Sequence, residues 1–418
     1  MGSGFGERLK QERLERTLTQ GELGGALYSA SYISLLESGH REPTVEIIKA
    51  LSQQLQLSPD TLQSWAQTAS PEECGYLTAS LNAWQCWDTR DFLGAAQNAE
   101  TAAIKASSNM NAAMWWNMTY LQATSLLRNS DFAESVGILT RLIEHPLTAG
   151  SGSLTLRARQ VMAAALLGMG RLHEAIGQAT LAVEIGAGAS AEQNSAYLVA
   201  LQTLIGTLAE SGRVEEAWQH CLTLNDALTE ATPAQTAGEM HWVIGNVAFF
   251  RKDIAEGLNH HSLASKLLSP AQDLARWAQF NKATAWVRLA AGVVEQDTLQ
   301  AIERSELAHS VVGASATETL EVSLLRARWL FLNSELPKAL ALLTTINSQR
   351  EQLGSHTAGD TALLLGQVLK ALDRTDDAFV AFADAQTLFT EAGAGDRVST
   401  AKENMVEIEA IHHAPEAT

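Results

Sequence analysis

The chain has 418 residues, 46% of them hydrophobic, and sets 29 Lys/Arg against 47 Asp/Glu for a net charge of −18. That length exceeds what one compact core holds and calls for two or more domains or a repeat array, while the hydrophobic share is that of a folded chain. The acidic balance argues against nonspecific binding to nucleic acid or an anionic membrane. No run approaches the ~18 apolar residues of a membrane helix, and segment 4–16 is charged where a signal peptide would be apolar.

In chain order, the spacing predicts a first helix over residues 5–16, with Phe5, Leu9 and Leu14 inward and Arg8, Lys10, Arg13 and Arg16 mostly outward. Thr19-Gln20-Gly21-Glu22 is a capping box that opens a short second helix with Leu23 and Leu27 on its inner face. Ser29 can cap a third helix whose inward residues are Ile33 and Leu36, which leaves Ala30, Ser31, Tyr32, Ser34 and Leu35 on other faces. Gly39 and Pro43 end it, Thr44 is the next N-cap, and Val45, Ile48 and Leu51 continue as a fourth helix. Ser58-Pro59 opens a fifth. Residues 1–70 hold six Lys/Arg and eight Asp/Glu, a balance of −2, which leaves −16 of the −18 for the remainder. Contact with a nucleic acid must therefore come from local placement of side chains.

Five short helices with a tight link between the second and third fit a helix-turn-helix. The stretch "LTQGELGGAL…SASYISLLESGHREPT" resembles the phage-repressor-like (XRE) family, with Thr-Gln opening helix 2, Ser capping the recognition helix, then Ile-Ser and Glu-x-Gly-x-Arg-x-Pro. The likeness covers roughly residues 5–65. It departs at the inter-helix turn, where the family's usual Gly is missing beside Tyr28 and the turn is one residue shorter. The resemblance implies phosphate contacts for Gln20 and Thr44 at helix N-termini and a major-groove face made of Ser29, Ala30, Ser31, Tyr32 and Ser34. It also implies backbone contacts for His40 and Arg41. That face has no Arg, Asn or Gln, so bidentate base pairing is absent and specificity leans on DNA shape or water.

From residue 75 one phrase recurs: a turn, then a helix with a small residue at a fixed place. The small residue falls at Ala95, Ser135, Ala175, Ala217, Gly257, Ala301, Ala339 and Ala378, about 40 apart, and the unit with Ala301 is the weakest. Twelve positions earlier stand Ala83, Ala123, Ala163, Ile205, Gly245, Leu289, Ala327 and Gly366, small in six of the eight. Two such columns mean two antiparallel helices crossing closely, repeated about eight times. This resembles the tetratricopeptide repeat (TPR), with a unit longer than the usual ~34 residues. The predicted fold class is all-α: an N-terminal five-helix helix-turn-helix domain, then a right-handed TPR-like helical-hairpin solenoid. The expected division is 1–68 for the first domain, 69–393 for the repeats and 394–418 for a C-terminal capping helix and tail, with segment 66–73 as the linker.

In a TPR solenoid the first helix of each hairpin lines the concave face through positions six before, three before and one after its small residue. Applied here, that register selects Asn117, Tyr120, Arg157, Gln160, Gln202, Trp242, Asn246, Trp286 and Arg328 as a candidate ligand groove. Amides can hold the main chain of an extended peptide, Arg a carboxylate, and Trp supplies flat apolar area. A solvated polar face with core tryptophans is the plainer reading of the same pattern.

No phosphate-binding glycine motif, HExxH or CxxC occurs, and no nucleophile or paired-carboxylate arrangement stands out, so no enzyme, cofactor or metal is expected. The pairs His260-His261 and His412-His413 diverge on a helix. Cys74, Cys86 and Cys221 are far from metal-ligand spacing and are read as small buried hydrophobes in a reducing compartment. "GAGAS" over 186–190 reads as a loop ending a helix.

A DNA-reading head followed by TPR repeats resembles the Rgg/PlcR/PrgX (RRNPP) peptide-responsive regulators. That resemblance implies a cytoplasmic transcriptional regulator, a homodimer on a pseudo-palindromic double-stranded DNA operator, with a signalling peptide or other small molecule in its groove. The alternative is a TPR scaffold that binds a protein partner and uses its N-terminal domain for protein contacts.

Overall fold

The computed structural model describes residues 4–66, 71–108, 111–187 and 194–413, and among them it is built from α-helices without strands. Residues 67–70 of the expected linker, and the end of "GAGAS", lie outside the described residues. The chain divides into two compact units, Met1–Ala189 and Ser190–Thr418.

The first unit opens with α1 (Gly4–Glu15), α2 (Gln20–Gly24), α3 (Ala30–Glu37), α4 (Val45–Leu55) and α5 (Pro59–Ala66). They close around a core of Phe5, Leu9, Leu23, Ile33, Leu36 and Leu51, joined by Leu55, Leu62 and Trp65. Three inward assignments fail: Leu14, Leu27 and Val45 are exposed, and Arg13 is buried instead. The reason is that α2 is only five residues long, so it has one inner turn and Leu27 falls in the loop beyond it. On α1 the slot beside α3 is filled by an ion pair where the apolar pattern placed a leucine.

Hairpins follow, each an A helix and a B helix. The first unit holds α6 (Pro71–Asp88) with α7 (Phe92–Ser108), and α8 (Ala112–Arg128) with α9 (Phe132–Glu144). After the short α10 (Pro146–Ala149) come α11 (Gly152–Gly168) and α12 (Leu172–Gly186). The second unit holds α13 (Asn194–Glu210) with α14 (Val214–Ala227), α15 (Ala234–Phe250) with α16 (Ile254–Leu267), and α17 (Leu274–Ala290) with α18 (Gln296–Val312). It ends with α19 (Ala316–Leu332) and α20 (Leu336–Asn347), α21 (Ser355–Ala371) and α22 (Thr375–Glu391), and a final α23 (Gly395–His413).

Both small columns are buried throughout, which is what lets the helices of each hairpin cross closely. A Cβ on Gly245 would sit 2.3 Å from His261 Cδ2, and one on Gly366 2.6 Å from the Phe382 ring. In seven hairpins the turn has one residue of positive φ five places before the small residue of the B helix: Arg90, Ser130, Gly170, Gly212, Lys252, Ser334 and Asp373. The next amide reaches back to the A helix, as Asp131 N–H does to Leu126 O at 2.9 Å, so each A helix ends in a Schellman motif. The eighth hairpin, α17–α18, places its positive-φ Gly292 nine residues before Ala301, so its turn is four residues longer. That insertion is why its sequence signature is weak.

Within the second unit α13, α15, α17 and α19 each pack on the next A helix, and in the first unit α8 packs on α11. Among the described residues successive B helices make no comparable approach, so the A helices form the tighter, inner face of each unit. Of the cysteines only Cys221 is fully buried; Cys74 is exposed, because it lies on the outer side of α6.

Candidate DNA interface and ligand groove

The link between α2 and α3 is set by two glycines. Gly25, at φ +56°, ends α2 with its amide directed at the Gly21 and Glu22 carbonyls. A Cβ on Gly24 would lie 3.3 Å from Ile33 Cγ1, tighter than ordinary contact, so its absence brings α2 onto α3. The capping box forms: Thr19 Oγ1 accepts from the Glu22 amide at 3.2 Å, and Glu22 Oε2 accepts from the Thr19 amide at 2.7 Å. Ser29 Oγ accepts from the Tyr32 amide at 3.2 Å and so fixes the first turn of α3.

The C-terminal end of α3 is anchored from below. Arg13 donates through Nε to Glu37 Oε1 at 2.5 Å, through Nη2 to Oε2 at 3.0 Å, and through Nη1 to the Leu18 carbonyl at 2.8 Å. Gln20 Nε2 donates to Glu37 Oε2 at 2.9 Å. Burial pushes the Glu37 carboxyl up, but the bonds from Arg13 and Gln20 outweigh it and hold the group below the usual carboxylate range. This network ties α1, α2 and α3 together; the family pattern contains Gln20 and Glu37 but not the buried Arg13 that joins them to α1.

Of the sequence-selected DNA residues, Ser29, Ala30, Ser31 and Ser34 are exposed on α3 and its cap. Tyr32 is half-buried: its ring stacks on Tyr28 with centroids 5.3 Å apart, and the Arg41 guanidinium lies 5.0 Å from its centroid. His40 is exposed, with Nδ1 2.8 Å from Ser38 Oγ. Thr44 is the N-cap residue of α4, but its hydroxyl donates to Glu46 Oε2 at 2.7 Å and makes no cap bond. Gln20 stands in the first turn of α2 with its amide directed inward. Leu27, expected on the inner face, and Leu35 add exposed apolar surface to the same motif.

In the first unit, Asn117 and Tyr120 stand on α8 and Arg157 and Gln160 on α11, which packs on it, and Tyr120 meets Arg157 across that contact. Tyr120 stacks on Trp116 at 5.2 Å. Burial raises its hydroxyl above the usual range, with Arg157 pulling the other way. In the second unit, Gln202, Trp242, Asn246, Trp286 and Arg328 lie on four successive A helices. Trp286 is open to solvent beside Phe250, whereas Trp242 is buried against Phe280 at 5.6 Å and under Arg276 at 4.9 Å. Asn246 Oδ1 is 3.1 Å from His261 Nε2. Burial lowers the Arg328 guanidinium, partly offset by Asp360.

Pattern reading missed the ion pairs that neutralise acids of this face: Arg276 with Glu239 at 3.4 Å, Lys282 with Glu321 at 2.8 Å, and Arg397 with Asp360. Each partner stands in a neighbouring helix pair, at a sequence distance that no within-repeat register selects. Likewise His241 and His260 share a hydrogen bond between their Nδ1 atoms at 2.9 Å. Among the described residues no three His, Cys, Asp or Glu side chains gather as a metal site would need, and no helix is long and apolar enough to cross a membrane.

Comparison with known proteins bears on the two parts differently. Residues 9–62 match the Helix-turn-helix family HTH_3, so the N-terminal domain is a helix-turn-helix of that kind. No curated protein sequence matches the chain. Among solved structures, the apo form of the quorum sensor NprR from B. thuringiensis is 12% identical, with a TM-score of 0.50 over 95% of this chain and 99% of that one. A Rap protein complexed with Competence and Sporulation Factor is 10% identical, with a TM-score of 0.50 over 97% and 98%. Aspartyl phosphate phosphatase F from Bacillus subtilis is 10% identical, with a TM-score of 0.50 over 93% and 94%. At such identities the likeness is one of fold: an all-helical chain of TPR-like hairpins.

Proposed function

We propose that the chain is a sequence-specific DNA-binding transcriptional regulator whose repeats bind a signalling peptide or other small molecule and thereby modulate DNA binding. The observation that carries this reading is the matched helix-turn-helix with Ala30, Ser31 and Ser34 exposed on α3 and Arg41 beside it. Residues 1–68 serve as the head, 69–393 as the ligand-binding and dimerising array, and 394–418 as its cap and tail. A homodimer in the cytoplasm presents two recognition helices about 34 Å apart to a pseudo-palindrome. Hydroxyls of Ser29, Ser31 and Ser34 bond base edges or phosphates, Ala30 meets a thymine methyl, and Arg41 and His40 hold the backbone. Support for the peptide comes from the mixture of amide, guanidinium and indole groups on the A-helix face. This is the reading of a binding protein and not of an enzyme.

The test is a selection of fragmented genomic DNA on the purified chain, wild type beside the Ser31→Ala/Ser34→Ala variant, at two salt concentrations. Both serines are exposed, so the variant keeps the fold. A recurrent palindromic site that the variant loses supports the reading. The same preference in the variant sinks the recognition-helix assignment. No enrichment, with or without added cell extract, favours the protein-binding scaffold, since salt-dependent site binding through counterion release belongs to the regulator alone.

A further inference from the structure

In the second unit α14 packs on α15, α18 on α19 and α20 on α21, which joins these three B helices to the A helix of the next hairpin. Among the described residues α16 and α17 lack a comparable contact. A cavity of about 160 Å³ fills the space between them and is closed on its third side by α18, the helix that follows the one irregular turn. It is not part of the A-helix groove. On α17 it uses Asn281, Thr284 and Arg288, spaced three and four apart, whereas Trp286 belongs to the other face.

The floor of the cavity is polar and unsatisfied. Arg288 and Thr284 are each 6% exposed, and Arg288 Nε and Thr284 Oγ1 are buried without a hydrogen-bond partner. An orphaned buried polar group costs about 1–3 kcal/mol, so a chain does not keep two such groups side by side for packing alone. The rim adds Lys266 from α16 and Arg304 from α18 against the single acid Asp297. Three permanent cations thus face one carboxylate. In a chain of net charge −18, that is a local reversal of sign.

We infer that this cavity is a binding site for a small molecule bearing an oxyanion, a carboxylate or phosphate, which accepts hydrogen bonds from Arg288 and Thr284 and is drawn in by Lys266 and Arg304. A guanidinium is the donor best matched to such a group, and Asp297 and Gln300 at the opening can receive a hydroxyl or amine carried on the same molecule. The volume suits a ligand of a few heavy atoms beyond the oxyanion, not a peptide. The site is independent of the DNA and groove readings.

The experiment is thermal unfolding and calorimetric titration of the full chain with inorganic phosphate, and separately with citrate, each against chloride at matched ionic strength. Phosphate or citrate should raise Tm in a saturable way that chloride does not, and whichever acts alone names the oxyanion. Arg288→Met should abolish that rise at little cost to the unliganded protein, because it removes a guanidinium that burial disfavours, that Asp297 and Glu295 offset only in part, and whose Nε has no hydrogen-bond partner. Thr284→Val, nearly isosteric, and Arg304→Gln, at the exposed rim, should each weaken binding about tenfold. Equal effects of all three salts, or an anion-specific rise that persists in Arg288→Met and Arg304→Gln, would overturn the assignment.

Discussion

Glu37 shows how much one side chain decides in the head. It accepts from Arg13 and Gln20, and so holds the end of α3 against α1 and the start of α2. Glu37→Ala leaves Arg13 buried and unpaired, so we expect a loss of about 3 kcal/mol of stability, read as faster hydrogen exchange across α1–α3 in the full chain. Because the folded-state Glu37 lies below its ordinary value, its contribution is present above the unfolded carboxylate range and is lost as pH falls through the folded value. His261 has the same sign for a different reason. Burial, and next the charge of Arg288, push it down to about 3. The neutral ring is the folded one, so its contribution is complete above the unfolded value of about 6.5 and declines below it. Exchange protection of α15–α17 should fall by about 2 kcal/mol or more between pH 7 and pH 5, and His261→Gln should reduce that slope to the part that His241 and His260, also lowered by burial, carry. Neither role was legible: Glu37 belongs to the Glu-x-Gly-x-Arg-x-Pro pattern, which says nothing of its partners, and His261 reads as half of a diverging pair. Their partners are 24 and 15 residues away, at separations that only the folded chain defines.

The hairpins were legible for a physical reason. Two helices that cross closely need small residues at the crossing, and that requirement repeats with the unit, so the columns from Ala95 and Ala83 onward locate the eight buried crossings. Gly245→Ala should therefore cost roughly 1–3 kcal/mol, since the new methyl meets His261 and the backbone near Gly257, and denaturant unfolding should show it. The turns carry the converse prediction. Lys252 holds a positive φ of 66° that favours glycine, so Lys252→Gly should stabilise α15–α16 by about 0.5–1 kcal/mol, and no gain would mean that the side chain compensates locally. Helix faces in the head were less legible. Leu14, Leu27 and Val45 fit an apolar stripe but are exposed, because short helices offer too few turns for periodicity to fix a face.

At the scale of the whole molecule, a repeat array derives its stability from neighbours, and its last hairpin needs a cap. Helix α23 supplies one: Ala401 and Ile408 are fully buried against α22, and Arg397 and Lys370 form ion pairs with Asp360 and Glu407. Deleting residues 395–418 should expose Phe389 and make α21–α22 the first elements to exchange, leaving α13–α16 protected. Equal protection throughout would mean that the array does not unfold by hairpins. The charge distribution sets another expectation. With −16 outside the head, DNA affinity should fall steeply with salt only through the few cations of the head, so the slope of log K against log salt should be modest, on the order of −3 to −4.

What the sequence determined by itself is whatever local chemistry or strict repetition enforces. Capping at Thr19 and Ser29, the Gly-Pro stop after α3 and the two small columns each act within one element or recur at fixed spacing, so they survive projection onto a line. What only the tertiary structure decided is where unlike elements meet. The Arg13–Glu37 anchor, the Arg276 contact on Trp242, and the unsatisfied Arg288 over the gap between α16 and α17 all join residues with no fixed spacing between them. Burial and hydrogen bonding depend on distance in space, and outside the repeat nothing in the order of residues encodes it.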